Sequence, residues 1–341
     1  MTYDKKQHLT RRSFVQKTGL LAGGVLMGAG VAPDGARSAV SAAVDQSDVP
    51  RRTLGKTNVP ITTYTLGTAP CGFSEHVSVK DIADIVNAAI DVGVTSIDTA
   101  RRYAKAEEGV GLGLGRRRKE VFLATKVFAD TIEEAEECFS TSLKMLKTDY
   151  VDLAYFHNVG GRDMDRALEP DGVFPWMVKQ KKLGKARFLG LSGHNLPHRF
   201  ARFIETGDVD VLLCAINFVD RHTYNFEEKV VPLAKKHGLG IVAMKVLGGI
   251  GAGMGAYTGP PGPPLVPEQH VESAVRYALS IPGVTTVNIG VHSADQVRKN
   301  VEMVKRFRRL STDEQTALAD LGKQLSKEWG EHFGPVAEQV G

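Results

Sequence analysis

Residues 97–113 read I-D-T-A-R-R-Y-A-K-A-E-E-G-V-G-L-G, which sets a carboxylate, Asp98, at the end of a short apolar run and a phenol, Tyr103, five residues later. Other apolar runs also end in polar groups: Lys126 closes V-F-L-A-T-K, His157 closes D-L-A-Y-F-H, and Ser192, Asn217 and Lys245 end three later ones. These residue types suit hydride transfer to a carbonyl, whose oxygen must receive a proton or a strong hydrogen bond as charge gathers on it. A tyrosine, with an unperturbed pKa of about 10, needs a nearby ammonium to release its proton easily. Lys126 is the expected ammonium, Asp98 the carboxylate that keeps it charged and oriented, and His157 a second donor to the carbonyl oxygen. Taken singly, Asp98 reads as a helix cap, Lys126 as a surface charge and His157 as a core residue. Four such groups at one mouth favour chemistry. Neither a nucleophile–base pair nor a metal-ligand spacing is present, so hydrolysis is less well provided for, and no metal is expected. Cys71, Cys138 and Cys214 form an odd set without C-x-x-C spacing and read as small apolar fillers.

For these groups to meet, the runs that carry them must be parallel strands of one barrel. Short apolar runs fall at 63–67, 95–98, 121–126, 152–157, 186–192, 211–217, 240–245 and 285–290. Amphipathic stretches between and after them predict helices near 79–92, 107–115, 131–147, 173–183, 197–206, 226–237, 268–280 and 293–304. Eight strands, each followed by a helix, is the pattern of an α/β (β/α)8 TIM barrel, in which polar residues at the carboxyl ends of strands face the open mouth. Thr131 with Glu133 and Glu134, and Ser293 with Asp295 and Gln296, are the expected helix starts. The Gly55–Asn58 turn predicts an N-terminal hairpin over 51–59, and a polar stretch at 312–329, capped by Ser311 or Thr312, predicts an extra C-terminal helix. Two loops exceed what a barrel needs, 159–173 and the Gly/Pro-rich 248–264. The second could bring backbone N–H groups close to a pyrophosphate or serve as a flexible lid.

The net charge of +4 is confined to one end. Residues 1–43 hold six Lys/Arg against two Asp, which leaves 37 basic and 37 acidic residues for the rest. A neutral body argues against nucleic acid or an anionic membrane surface as partner. Within the basic end, T-R-R-S-F-V with Lys17 resembles the twin-arginine export motif, with Val15 in place of the usual Leu. A Gly-rich apolar run over 19–32 and small residues at 38–43 follow in the order a signal requires, too short for a spanning helix. The expected organisation is a cleaved signal at 1–43 and one barrel domain at 44–341. The mature protein is then expected outside the cytoplasm, periplasmic or extracellular, with the export machinery as partner and without membrane attachment.

Asp98-Thr99-Ala100-x-x-Tyr103, with Glu107 and Gly111 following, then Lys126 and His157 after their strands, resembles the aldo-keto reductases from about Arg51 to Val304. The resemblance implies a nicotinamide cofactor, usually NADP(H) with NAD(H) as the alternative, a small-molecule carbonyl substrate, and the tetrad Asp98, Tyr103, Lys126 and His157 with Tyr103 as proton donor. It also implies cofactor contacts at Ser192, His194, Asn217, Met244, Lys245, Leu247, Gly290, Gln296 and Asn300. Here the sequence departs from the family. Ser192 is followed by Gly193 where the family has Asn, so His194 is expected to stand in for the missing amide, and Met244 takes the place of the aromatic ring that stacks on nicotinamide. Gly290 and Gln296 occupy positions where the family holds a 2′-phosphate with Lys and Arg. Arg101 and Arg102 could hold an anionic substrate group, although an ion-paired turn is the preferred reading. Two alternatives remain open, an exported nicotinamide-binding redox module with little turnover and a cofactor-free barrel isomerase or lyase.

Overall fold

The structure, a computed structural model, describes residues 48–249 and 262–338. The signal-type segment 1–43 and most of the Gly/Pro-rich loop lie outside the described residues. Eight parallel strands close into a barrel in chain order: β3 (Tyr64–Gly67), β4 (Ser96–Asp98), β5 (Phe122–Val127), β6 (Val151–Phe156), β7 (Ala186–Gly193), β8 (Val211–Ala215), β9 (Gly240–Met244) and β10 (Val284–Gly290), which pairs back onto β3. A hairpin of β1 (Arg51–Thr53) and β2 (Pro60–Thr62) precedes it. The hairpin's second strand starts one residue beyond the expected span.

Period-two alternation decides which side chains see the barrel axis. Phe122 and Ala124 of β5, Leu153 and Tyr155 of β6, Val211 and Leu213 of β8, and Val242 and Met244 of β9 pack together inside, and Leu54 and Ile61 of the hairpin belong to the same cluster. Continuing that alternation toward the carboxyl ends reaches Lys126 on β5 and His157 just after β6, so the packed core fixes where the polar groups emerge. Register agrees, since Lys126 stands beside Tyr155 across β5 and β6, and Asp98 beside Ala124 across β4 and β5.

The helix starts behave as their sequences ask. Thr131 and Ser311 each form a reciprocal capping box with the glutamate three residues on, and Ser293 accepts from the Gln296 N–H. Several stretches differ from expectation, among them 268–280, which opens as a tight turn at Glu268–His270 before Val271–Ser280. The 226–237 stretch splits into Phe226–Lys229 and Val231–Lys236, because Pro232 lacks the N–H that would continue the first helix. The 197–206 stretch opens as a tight turn at Pro197–Arg199 before Phe200–Ile204, and the loop 159–173 contains a short helix, Met164–Leu168, capped by Asp163. Among the described residues no helix is long and apolar enough to cross a membrane.

Candidate active site

The β4–β6 side of the mouth holds the four residues singled out first. Asp98 is the last residue of β4 and Lys126 lies in β5, both almost fully buried. The Lys126 ammonium donates to Asp98 Oδ1 at 2.5 Å and to the Thr99 carbonyl at 2.8 Å. It also sits 4.7 Å from the centre of the Tyr103 ring and shares a hydrogen bond with the phenol. Burial works against the charged amine, but Asp98 and Tyr103 outweigh it and hold the Lys126 pKa above its ordinary value. Removing either member of such a pair would leave a buried charge uncompensated, at a cost of about 3–5 kcal/mol.

Tyr103 is positioned by its own loop. The Arg101 guanidinium reaches back to Glu107 at 3.0 Å and to the Ala104 carbonyl at 3.2 Å. Glu107 is fully buried and also accepts from the Thr125 hydroxyl at 2.6 Å. Ala104 takes a positive φ of 46°, a conformation that costs a non-glycine residue about 1 kcal/mol or more and persists only when its surroundings enforce it. Gly72 packs so closely under this turn that a side chain there would collide with the Tyr103 carbonyl. Arg101 is thus the ion-paired turn residue, and only Arg102 remains exposed. Its guanidinium lies 4.2 Å from the centre of the Phe128 ring, which also carries Arg162 at 3.8 Å and stands edge-on to His157 at 5.6 Å.

His157 follows β6, buried, with its ring edge-on to Tyr103 at 6.1 Å. Burial first, then the neighbouring Lys126, His194, Arg102 and Arg162, push its pKa well below the usual histidine value. The imidazole is therefore neutral at physiological pH and acts as a hydrogen-bonding group. Its Nδ1 and Asp98 Oδ2 are buried without a hydrogen-bond partner, and an unmet buried polar atom is costly unless a ligand satisfies it. Burial pushes the Asp98 pKa above the usual carboxylate value, against Lys126 and Asn288 of β10, which both reach the carboxyl and favour its charged form. The sequence reading missed Asn288, although an Asn within the apolar strand V-T-T-V-N-I-G was a visible signal.

On the β7–β9 side the residues are brought to one rim, but the chain itself uses most of them. Ser192 Oγ accepts from the Asn158 N–H at 3.2 Å. Asn217 donates to Asp220 at 2.5 Å and to the Lys245 carbonyl at 2.9 Å while accepting from the N–H groups of Val219 and Asp220, so all of its amide serves the loop. Met244 is buried in the barrel interior, Leu247 packs on the outer core, and Lys245 follows with a strained φ of 56°. The His194 pKa is pushed down to about 3, by burial first and Lys245 second. Near β10, Gln296 accepts from the His292 N–H at 2.6 Å, Arg298 is paired with Asp295 at 2.6 Å, and Asn300 donates to the Tyr64 hydroxyl at 3.5 Å. Gly290 abuts Pro70 so closely that a side chain would not fit. Gln296 and Gly290 thus offer a 2′-phosphate no charge.

Residues 330–338, which follow the C-terminal helix Thr312–Trp329, lie along this same rim. The Phe333 ring rests against His194 with centres 5.4 Å apart, and the Lys245 ammonium stands 5.4 Å from its centre. The Phe333 N–H donates to the Tyr224 hydroxyl at 2.8 Å, and the Asn195 amide donates to the Pro335 carbonyl at 3.3 Å. Asn195 is a buried amide just beyond β7. It stands two residues beyond the position next to Ser192 where the family carries its Asn, so the local sequence does not single it out.

This arrangement can polarise a carbonyl from one side, through a phenol, an ammonium and a neutral imidazole. His194, Asn195 and Lys245 are the rim groups that could hold a cofactor once Phe333 and Pro335 are out of the way. Among the described residues no cluster of His, Cys, Asp and Glu is arranged to hold a metal.

Comparison with known proteins agrees with the geometry. The model of the aldo/keto reductase family matches residues 63–270. L-galactose dehydrogenase of Arabidopsis thaliana is 26% identical over 301 residues, spanning 78% of this chain and 91% of the relative. Methylglyoxal reductase DkgB of Escherichia coli O157:H7 is 29% identical over 167 residues, 48% of this chain and 60% of the relative. The structure of an aldo-keto reductase from Bacillus halodurans superposes with a TM-score of 0.66 at 23% identity, covering 84% of this chain and 100% of the other, which shows a shared fold.

Proposed function

The chain belongs to the aldo/keto reductase family and is an oxidoreductase, and from that premise we propose that it reduces an aldehyde or ketone to an alcohol, or runs the reverse, with Tyr103 as proton donor. The observation that carries this reading is the closed contact of Asp98, Lys126 and Tyr103 beside a neutral His157. A bound nicotinamide would supply the hydride. The chain's own residues do the rest. The Tyr103 hydroxyl gives its proton to the carbonyl oxygen, and the Lys126 ammonium stabilises the negative charge left on the phenol. Asp98 keeps Lys126 protonated, and neutral His157 donates a hydrogen bond that orients the substrate. Exposed Arg102, stacked on Phe128 beside His157, supports a substrate that carries an anionic group.

NADP(H) rests on family habit, because Gly290 and Gln296 carry no charge. A screen of neutral and anionic aldehydes, ketones and sugars with NADPH and NADH tests the reading. Carbonyl-dependent oxidation of the nucleotide is expected, and its absence with every pair would contradict it. We further propose that residues 1–43 are a twin-arginine signal, on the strength of Arg11-Arg12 and the apolar and small-residue runs behind them. Exchange of both arginines for lysine should retain the full-length chain in the cytoplasm on cell fractionation, and export without change would refute it.

A further inference from the structure

We propose that residues 330–338 are an intramolecular cap on the β7–β9 rim, which the nicotinamide nucleotide must displace in order to bind. The proposal rests on the nicotinamide reading above. Its basis is that the groups available to hold a nicotinamide on this rim are the groups the segment occupies: Phe333 covers His194 and lies under Lys245, and Pro335 takes the Asn195 amide. One set of groups cannot serve both at once, so nucleotide and cap compete.

The segment is built to come away. It contains no helix or strand, and its residues are half-buried or exposed, so apart from the buried His332–Asp220 pair its hold on the barrel rests on a few half-buried side chains. It begins at Gly330 and contains Gly334, with φ of 57° and 102°, conformations that glycine adopts without strain and that suit a hinge on each side of Phe333. Its contacts are separate ones along the rim. His332 pairs with Asp220 at 2.8 Å, Phe333 bonds Tyr224, and Glu338 pairs with the exposed His198 and with Arg199. None lies inside the barrel, so lifting the segment leaves β3–β10 and the Asp98–Lys126 pair intact.

A cap of this kind lowers apparent affinity by the fraction of molecules that are open, since the apparent Kd is the intrinsic Kd divided by that fraction. The test compares NADPH and NADH binding by the full chain, by a chain ending at Trp329, and by Phe333→Ala in the full chain, the last in case the deletion disturbs folding. Both variants should bind nucleotide more tightly, the deletion by about tenfold or more, with faster association. Saturating NADPH should also speed proteolysis within 330–338 of the full chain. Equal affinity in all three, or weaker binding after deletion, as a clamp would give, overturns the cap. If none of the folded forms binds either nucleotide, the nicotinamide reading fails and the cap with it.

Discussion

On the β4–β6 side of the mouth, Asp98, Tyr103 and Lys126 are bonded chiefly to one another, with Asp98 and Lys126 28 residues apart along the chain and Asn288 as a distant partner of Asp98. On the β7–β9 side, Asn195 is bonded to a carbonyl 140 residues away, and His194 and Lys245 are covered by Phe333. The first side is a cluster whose members chiefly satisfy one another. The second is a set of groups already committed to the chain's own end. On the proposed function, the reaction centre and the place for its cofactor hang on different strands and answer to different contacts, so substitutions should affect them separately.

That contrast can be broken first at Lys126. Lys126→Met leaves Asp98 buried without its cation, and the account predicts a loss of about 3–5 kcal/mol in denaturant unfolding together with loss of turnover. A stable variant that retains turnover would show that the β4–β6 side is not a single unit.

Acid titration probes the other side. His194, pushed down to about 3, and His157 are neutral in the folded chain. The unfolded chain regains histidines of pKa about 6.5 and so binds more protons below that pH. Their contribution is present in full above pH 6.5 or so and is lost as pH falls toward about 3, where His194 alone accounts for a change on the order of a few kcal/mol. Unfolding midpoints measured across this window should fall with pH, and His194→Gln should flatten the slope. An unchanged slope would place His194 in open solvent and remove the contrast.

The smallest expected effect is at Arg101. Arg101→Ala frees the Tyr103 turn and leaves Glu107 with the Thr125 hydroxyl but no cation, for a cost of about 1–2 kcal/mol. Turnover should drop roughly tenfold through misplacement of Tyr103, with nucleotide affinity unmoved. An equal loss of nucleotide affinity would mean that the two sides are coupled through this loop.

The barrel was legible because apolar runs and amphipathic stretches alternate eight times, and the meeting of Asp98, Tyr103, Lys126 and His157 was legible because each sits at or just beyond the carboxyl end of a strand. Thr131 and Ser293 announced their helices because a cap and its partners lie within one turn. Pro232 breaks the 226–237 stretch by a rule just as local. Asn288, Asn195 and Phe333 could not be assigned in that way. Asn288 reaches Asp98 only because β10 closes back on β3, and Phe333 reaches His194 only because the last helix returns the chain to the mouth. Pairings of that length depend on closure of the whole fold.

Substitution of Tyr103 by Phe tests the central claim most directly, because it removes one hydroxyl and keeps the ring beside Lys126 and His157. The account predicts that carbonyl turnover falls by about a hundredfold to ten-thousandfold, while NADPH affinity and the unfolding midpoint stay near those of the parent chain. Turnover within a few-fold of the parent would contradict Tyr103 as the proton donor, and with it the reading of the β4–β6 side as the reaction centre.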